Sequence, residues 1–182
     1  RDVLAETLAE LEEGFGGTIT SSGLSAIGLV ANLLSANDHV ILPHDCYGGT
    51  FRLFTMLHEK KTLTAHFVNQ NLLADLEKSI QRIKPKLIWI ETPSNPLLQS
   101  VNIKEIVKLA KISKALVAAD NTFLSPALQN PLSLGADIVM HSTTKYINGH
   151  SDVVGGAVIA RTQELGDELA WWANNIGITG AP

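Results

Sequence analysis

Short apolar runs alternate with amphipathic stretches along the chain. Residues 1–13 place Val3, Leu4, Leu8 and Leu11 at helical spacing with acids between them, and Gly14, Gly16 and Gly17 end the pattern. Thr18 to Gly23 follows, and then an apolar helix from Leu24 to Leu34. His39–Pro43 reads as a strand, a short helix runs through Leu57, and Leu63–Val68 reads as the next strand. The amphipathic helix Leu72–Ile83 precedes a strand over Lys86–Ile90, and the helix Ile103–Lys111 precedes a strand over Leu116–Ala119. Ala136–Met140 and Gly155–Ala160 are further strands, and Glu164–Asn175 is a helix that bears Trp171 and Trp172. No internal repeat, low-complexity tract or linker interrupts this order. Alternating strands and helices predict an α/β fold with a mostly parallel sheet.

Composition narrows the function classes. The hydrophobic fraction is 45% and the charged fraction 18%, which is ordinary for a globular protein, and 182 residues suffice for one domain with a sizeable core. A net charge of −4 without a basic stripe argues against nucleic acid as a partner. No apolar run approaches the ~20 residues that span a bilayer, and nothing at the start has the pattern of a signal peptide, so no membrane partner is expected. Cys46 is the one cysteine, which excludes an intrachain disulfide and fits a reducing cytoplasm. The chain starts at Arg1 inside a helical pattern and stops at Ile178-Thr179-Gly180-Ala181-Pro182 without a stop signal. The expectation is a fragment of a longer protein.

The candidate chemistry sits where strands end. After Ala136–Met140 come Ser142, Thr143, Thr144 and Lys145. On an extended backbone Ser142 and Thr144 would face one side. A lysine beside two hydroxyls suits an aldehyde cofactor that carries a phosphate: the amine would form a Schiff base and the hydroxyls would take phosphate oxygens. A solvated lysine beside turn hydroxyls is the plain structural alternative. Ser21 or Ser22 would cap the helix at Leu24, and Gly23 would let an anion approach its first turn. Tyr47, before Gly48 and Gly49, could present its ring to a planar cofactor, and it could equally be a packed turn residue. Pro93 and Pro96 stiffen the loop that carries Asn95. Asp120 ends an otherwise apolar strand, and a buried carboxylate there needs a partner such as a pyridinium N–H. Each signal alone has an ordinary reading as a cap or a turn. Together, Ser22, Tyr47, Asn95, Asp120 and Lys145 fall just after strands or at a helix start, the edge of an α/β sheet where ligands bind.

These residues stand in motifs that resemble the Cys/Met-metabolism PLP enzymes, which have the aspartate-aminotransferase-like fold. The motifs are Ser22-Gly23-Leu24-Ser25-Ala26, Asp45-Cys46-Tyr47-Gly48-Gly49-Thr50, Glu91-Thr92-Pro93-Ser94-Asn95-Pro96, Asp120-Asn121-Thr122-Phe123 and Ser142-Thr143-Thr144-Lys145-Tyr146, continuing to Gly149-His150-Ser151-Asp152. They match in order over nearly the whole chain. The resemblance implies pyridoxal 5′-phosphate (PLP) as cofactor, with Lys145 as Schiff-base lysine and proton shuttle, aided by Tyr47. It implies Asp120 on the pyridine nitrogen and Tyr47 stacked on the ring. Phosphate would be held by Ser142, Thr144, Ser22 and the backbone of Gly23 and Leu24. Asn95 would lie near the phenolic oxygen and the substrate carboxylate, with Arg52 and Asn174 on the substrate side. Leu24 stands where most members have Met, and its backbone N–H remains available. No metal is implied.

The closing segment Trp171-Trp172-Ala173-Asn174-Asn175-Ile176-Gly177 is most like members that carry out γ-replacement. That likeness implies synthesis of cystathionine from an O-acylhomoserine and cysteine, in methionine biosynthesis by transsulfuration. γ- or β-elimination of cystathionine and sulfhydrylation of the ester are the alternatives within the family, and a non-catalytic PLP carrier or structural fragment is the alternative outside it. The resemblance further implies that residues 1–182 are the PLP-binding large domain of a homotetrameric cytoplasmic enzyme. A Tyr-x-Arg arm would precede Arg1 and a C-terminal domain would follow Pro182.

Overall fold

A computed structural model describes residues 1–181. Seven strands form one sheet in the order β1-β7-β6-β5-β4-β2-β3. They are β1 (Phe15–Thr20), β2 (His39–Pro43), β3 (Thr64–Val68), β4 (Leu87–Glu91), β5 (Leu116–Asp120), β6 (Ile138–His141) and β7 (Gly156–Ala160). β3, β2, β4, β5 and β6 run parallel to one another, whereas β7 is antiparallel to both β6 and β1. The helices are α1 (Asp2–Leu11), α2 (Gly23–Ala31), α3 (Gly48–Glu59), α4 (Leu73–Ile83), α5 (Ile103–Ala110), α6 (Ser125–Leu128) and α7 (Gln163–Ile176). The α/β class with a mostly parallel sheet is as the alternation implies. No described helix is long and apolar enough to cross a membrane.

The central strands are apolar on both faces because both faces are covered. Trp89 joins the core formed with α2, α3 and α7, which includes Leu29, Phe54 and Leu169. Its neighbours Ile88 and Ile90 join the opposite core, with Leu76 and Ile80 of α4 and Ile106 of α5. The same alternation continues in β5, where Ala118 faces the first core and Val117 and Ala119 the second. A third cluster packs Leu8 of α1 on Ile19, Val139 and Ile159.

Two elements depart from the sequence expectation. Gly16 and Gly17 were expected only to end a helix, yet they lie inside β1. The register shifts between Phe15 and Gly17, and Gly16 has φ +60°, so the glycines shape an edge irregularity within a strand. α6 was not expected, since Ser125–Leu128 is a single turn with a proline in it. β6 also stops at His141, and residues 143–148 form turns. Ser142 and Thr144 therefore do not share a face of an extended strand. Thr144 Oγ1 instead donates to the Gly155 carbonyl at 3.1 Å and accepts from its N–H at 3.0 Å, closing the loop that leads into β7.

The topology puts the candidate residues at one edge. β2 leads rightward in the sheet to β3, and the chain then crosses back to β4, β5 and β6. A crevice opens where such a doubly wound sheet reverses, beyond the carboxyl ends of its strands. Here that place lies between β2 and β4.

Candidate active site

A cleft at this edge is lined by Gly23, Leu24, Ile27, Tyr47, Glu91, Pro93, Asn95, Asp120, Thr122, Phe123, Met140, Ser142 and Lys145. About 580 Å³ of non-atom space lies within it, the open solvent at its mouth included. Four of the loops that build it follow β2, β4, β5 and β6, and the fifth contribution is the start of α2.

The α2 end is built for close approach. Ser22 caps the helix, its hydroxyl accepting from Ser25 N–H at 3.1 Å. Gly23 and Leu24, in the first turn, have no carbonyl one turn back, so their N–H groups are free for an anion. A Cβ at Gly23 would stand 2.5 Å from the Ser142 Cβ. Only glycine lets the helix start meet Ser142 this closely. Ser142 N–H donates to Thr122 Oγ1 at 2.9 Å, and Thr122 N–H donates to Asp120 Oδ1 at 3.0 Å. These two bonds fix the ends of β5 and β6 relative to each other.

Asp120 has no ion-pair partner among the described residues. Burial raises its pKa above the ordinary carboxylate value, against the hydrogen bonds from Thr122 and the nearby His141. Behind it, Glu12 Oε1 meets His141 Nε2 at 2.6 Å and Asn121 Nδ2 at 2.9 Å in the interior. Lys145 is exposed, lines the cleft, and likewise lacks an ion-pair partner among the described residues. An uncompensated carboxylate and an unpaired amine thus share one cavity. Tyr47 presents its ring there, and a Cβ at Gly49 would collide with that ring.

Of the residues singled out from sequence, Gly23, Leu24, Tyr47, Asn95, Asp120, Ser142 and Lys145 come together on this cleft. Ser22, Thr144, Arg52 and Asn174 do not line it. Ser22 is the helix cap, Thr144 closes its own loop, and Arg52 and Asn174 are exposed on α3 and α7. Sequence reasoning gave no role to Thr122, Phe123 or Glu91. For Glu91 a signal existed: it is the charged end of the apolar strand Leu87-Ile88-Trp89-Ile90, just as Asp120 ends β5. Glu91 is 6% exposed and accepts from Tyr47 N–H at 2.6 Å and Asn95 N–H at 3.0 Å. Burial pushes its pKa up to about 8, opposed by those two N–H groups and reinforced by Asp120 and Asp45.

Comparison with known proteins follows the same lines. Residues 1–182 match the family described as Cys/Met metabolism PLP-dependent enzyme. The chain is 54% identical over 181 residues to cystathionine gamma-synthase of Escherichia coli (strain K12), covering 99% of this chain and 47% of that protein. It is 47% identical over 182 residues to cystathionine beta-lyase of Lactococcus lactis subsp. cremoris (strain MG1363), covering 100% of this chain and 48% of that one. A crystal structure of cystathionine gamma synthase from Xanthomonas oryzae pv. oryzae in complex with cystathionine superposes with a TM-score of 0.98 at 54% identity, over 100% of this chain and 47% of that one. The chain therefore spans about half the length of the relatives it matches.

Proposed function

The chain belongs to the Cys/Met metabolism PLP-dependent enzymes, and from that premise we propose that it is the cofactor-binding part of a larger enzyme that makes cystathionine by γ-replacement. The substrates in this reading are an O-acylhomoserine and cysteine, and the setting is the transsulfuration step of methionine biosynthesis in the cytoplasm. The observation that carries it is the cleft lined by both Lys145 and Asp120, neither of which has an ion-pair partner among the described residues.

The residues fit PLP, the family's cofactor. Asp120 lacks the cation that a pyridinium N–H would supply. The Gly23 and Leu24 N–H groups and the Ser142 hydroxyl would hold the phosphate where a side chain at Gly23 would close the space. Tyr47 would cover the ring, and Asn95 would reach the phenolic oxygen and the substrate carboxylate. Lys145 would be the attachment point for the aldehyde. Bound there, PLP supplies an electron sink for negative charge formed at the substrate carbons.

The chain's own residues then move protons. Lys145 would take the substrate's α-proton and afterwards transfer a β-proton, with Tyr47 assisting. Asp120 would be held ionised by a ring N–H and would keep that nitrogen protonated. Thr144 contributes by closing the loop that carries Lys145, and Ser22 by holding the α2 start. Arg52 and Asn174 belong on the substrate side of this reading. The assembly is a homotetramer that completes the site from a neighbouring subunit.

The 54% identity to the γ-synthase of Escherichia coli, against 47% to the β-lyase of Lactococcus lactis, favours replacement, while mycobacterial γ-synthases stand at 46%. The second reading, a lyase of the same family, keeps every residue role. Assay of the full-length protein with O-succinylhomoserine plus cysteine, O-acetylhomoserine plus cysteine, and cystathionine alone separates the two. Cystathionine formation faster than cystathionine breakdown supports the synthase, and the reverse order rejects it.

A further inference from the structure

Glu91 faces the cleft and has no part in the chemistry above. Its position is costly: it is buried, and it stands in register with Asp120 on the neighbouring strand. A buried charge beside a like charge lowers stability, so its value lies elsewhere. Its two oxygens go to two separate loops. One accepts from the N–H of Tyr47, 44 residues away in the loop after β2, and the other from the N–H of Asn95 in the loop after β4. Tyr47 is the N-cap of α3 and makes no side-chain cap bond. Its backbone is thus held from outside its own helix. Asn95 is held between Pro93 and Pro96 by the same carboxyl group. A second tie joins the same loops, Ser94 Oγ to Asp45 Oδ2 at 2.5 Å, but neither residue lines the cleft.

We propose that Glu91 is a positioning residue whose carboxyl group clamps Tyr47 to Asn95 and so sets both side chains over the cleft. The proposal rests on the reading that the cleft holds PLP. The chemistry of the clamp demands two acceptors at a fixed reach. Glutamine offers one acceptor and turns an N–H donor toward the other backbone N–H. Aspartate keeps the carboxyl group but is one methylene shorter, so it reaches one loop at the expense of the other.

Amide hydrogen exchange on the full-length protein without added cofactor tests this directly. In Glu91→Gln, exchange at Tyr47, Asn95 or both rises by about tenfold or more, as expected when one of two buried acceptors is replaced by a donor. In Glu91→Asp, one of the two positions rises and the other stays protected. With PLP bound, Glu91→Gln weakens the visible circular dichroism of the cofactor and lowers kcat, while borohydride still fixes the cofactor to Lys145. Unchanged exchange at both amides in Glu91→Gln overturns the clamp, and so does a rise spread evenly over β2 and β4 in both variants. If borohydride fixes nothing to Lys145 in the wild-type protein, the reading of the cleft fails, and the exchange data still decide the clamp.

Discussion

Glu91 and Asp120 end adjacent parallel strands in direct register, and both carboxyl groups line the cleft that Lys145 enters. Asp120 raises the cost of ionising Glu91, on top of the larger cost of burial. A site that holds two acids and one amine at a sheet edge is poised for a ligand that brings positive charge to one of the acids. The account assigns that acid as Asp120 and leaves Glu91 to the backbone.

The pH dependence of stability follows from Glu91. Its pKa in the fold is about 8, above the ordinary 4.5, so the folded state binds the proton more tightly than the unfolded chain. Stability contributed by the neutral form is therefore present at low pH and lost as pH rises from about 4.5 through 8. At about 1.4 kcal/mol per unit the loss is of the order of a few kcal/mol. Glu91→Gln removes this titration. Urea unfolding of the cofactor-free protein at pH 5 and pH 8.5 should show the variant gaining on the wild type at the higher pH. A constant difference between the two proteins across that range contradicts the assignment.

Asp120→Asn should leave the fold intact and slow proton removal from the substrate. The loss of charge lowers the pKa of the ring nitrogen, and each unit is worth about 1.4 kcal/mol, or tenfold. Exchange of the substrate α-proton with deuterated solvent should fall by at least about tenfold. An unchanged exchange rate would remove Asp120 from its role.

Gly23→Ala and Gly28→Ala form a matched pair on one helix. The first places a Cβ 2.5 Å from the Ser142 Cβ, whereas the second meets nothing within 4 Å. Gly23→Ala should destabilise by about 1–3 kcal/mol and weaken PLP binding, because α2 must move off Ser142. Gly28→Ala should be neutral or stabilise by about 0.5–1 kcal/mol. Equal melting temperatures and equal PLP affinities for the two variants would deny the close approach.

Cys46 precedes Tyr47, is buried, and has its thiol pushed up to about 12 by burial first and by Glu91 and Asp45 next. Its reaction with iodoacetamide near neutral pH should be slower in the native protein than in the unfolded chain by roughly a thousandfold, since the thiolate is the nucleophile. Mass spectrometry of quenched time points measures both rates, and comparable rates would show Cys46 to be accessible.

Much of this arrangement is legible from residue order. The continuous apolar runs locate β2, β4, β5 and β6, and their polar ends carry Tyr47, Asn95, Asp120, Ser142 and Lys145 to one edge. β1 is hidden because Phe15-Gly16-Gly17 has too few apolar side chains to mark a strand, and its place is set by pairing with β7. Thr144 looks equivalent to Ser142 in the sequence, but β6 ends before both, and the turn sends its hydroxyl to Gly155. Glu91 is visible as the charged end of an apolar strand, but its role is not, because its partners are backbone N–H groups, which no residue pattern displays. Arg52 and Asn174 lie away from the cleft lining, on exposed helix faces whose partners are not written in local sequence.

The central claim is that Lys145 is the amine to which PLP attaches. The direct measurement is borohydride reduction of the PLP-loaded full-length protein, followed by peptide mapping. The account predicts one phosphopyridoxyl group, on the peptide that contains Lys145, and its disappearance together with turnover in Lys145→Ala. A modified lysine elsewhere, or near-normal turnover in Lys145→Ala, would contradict it.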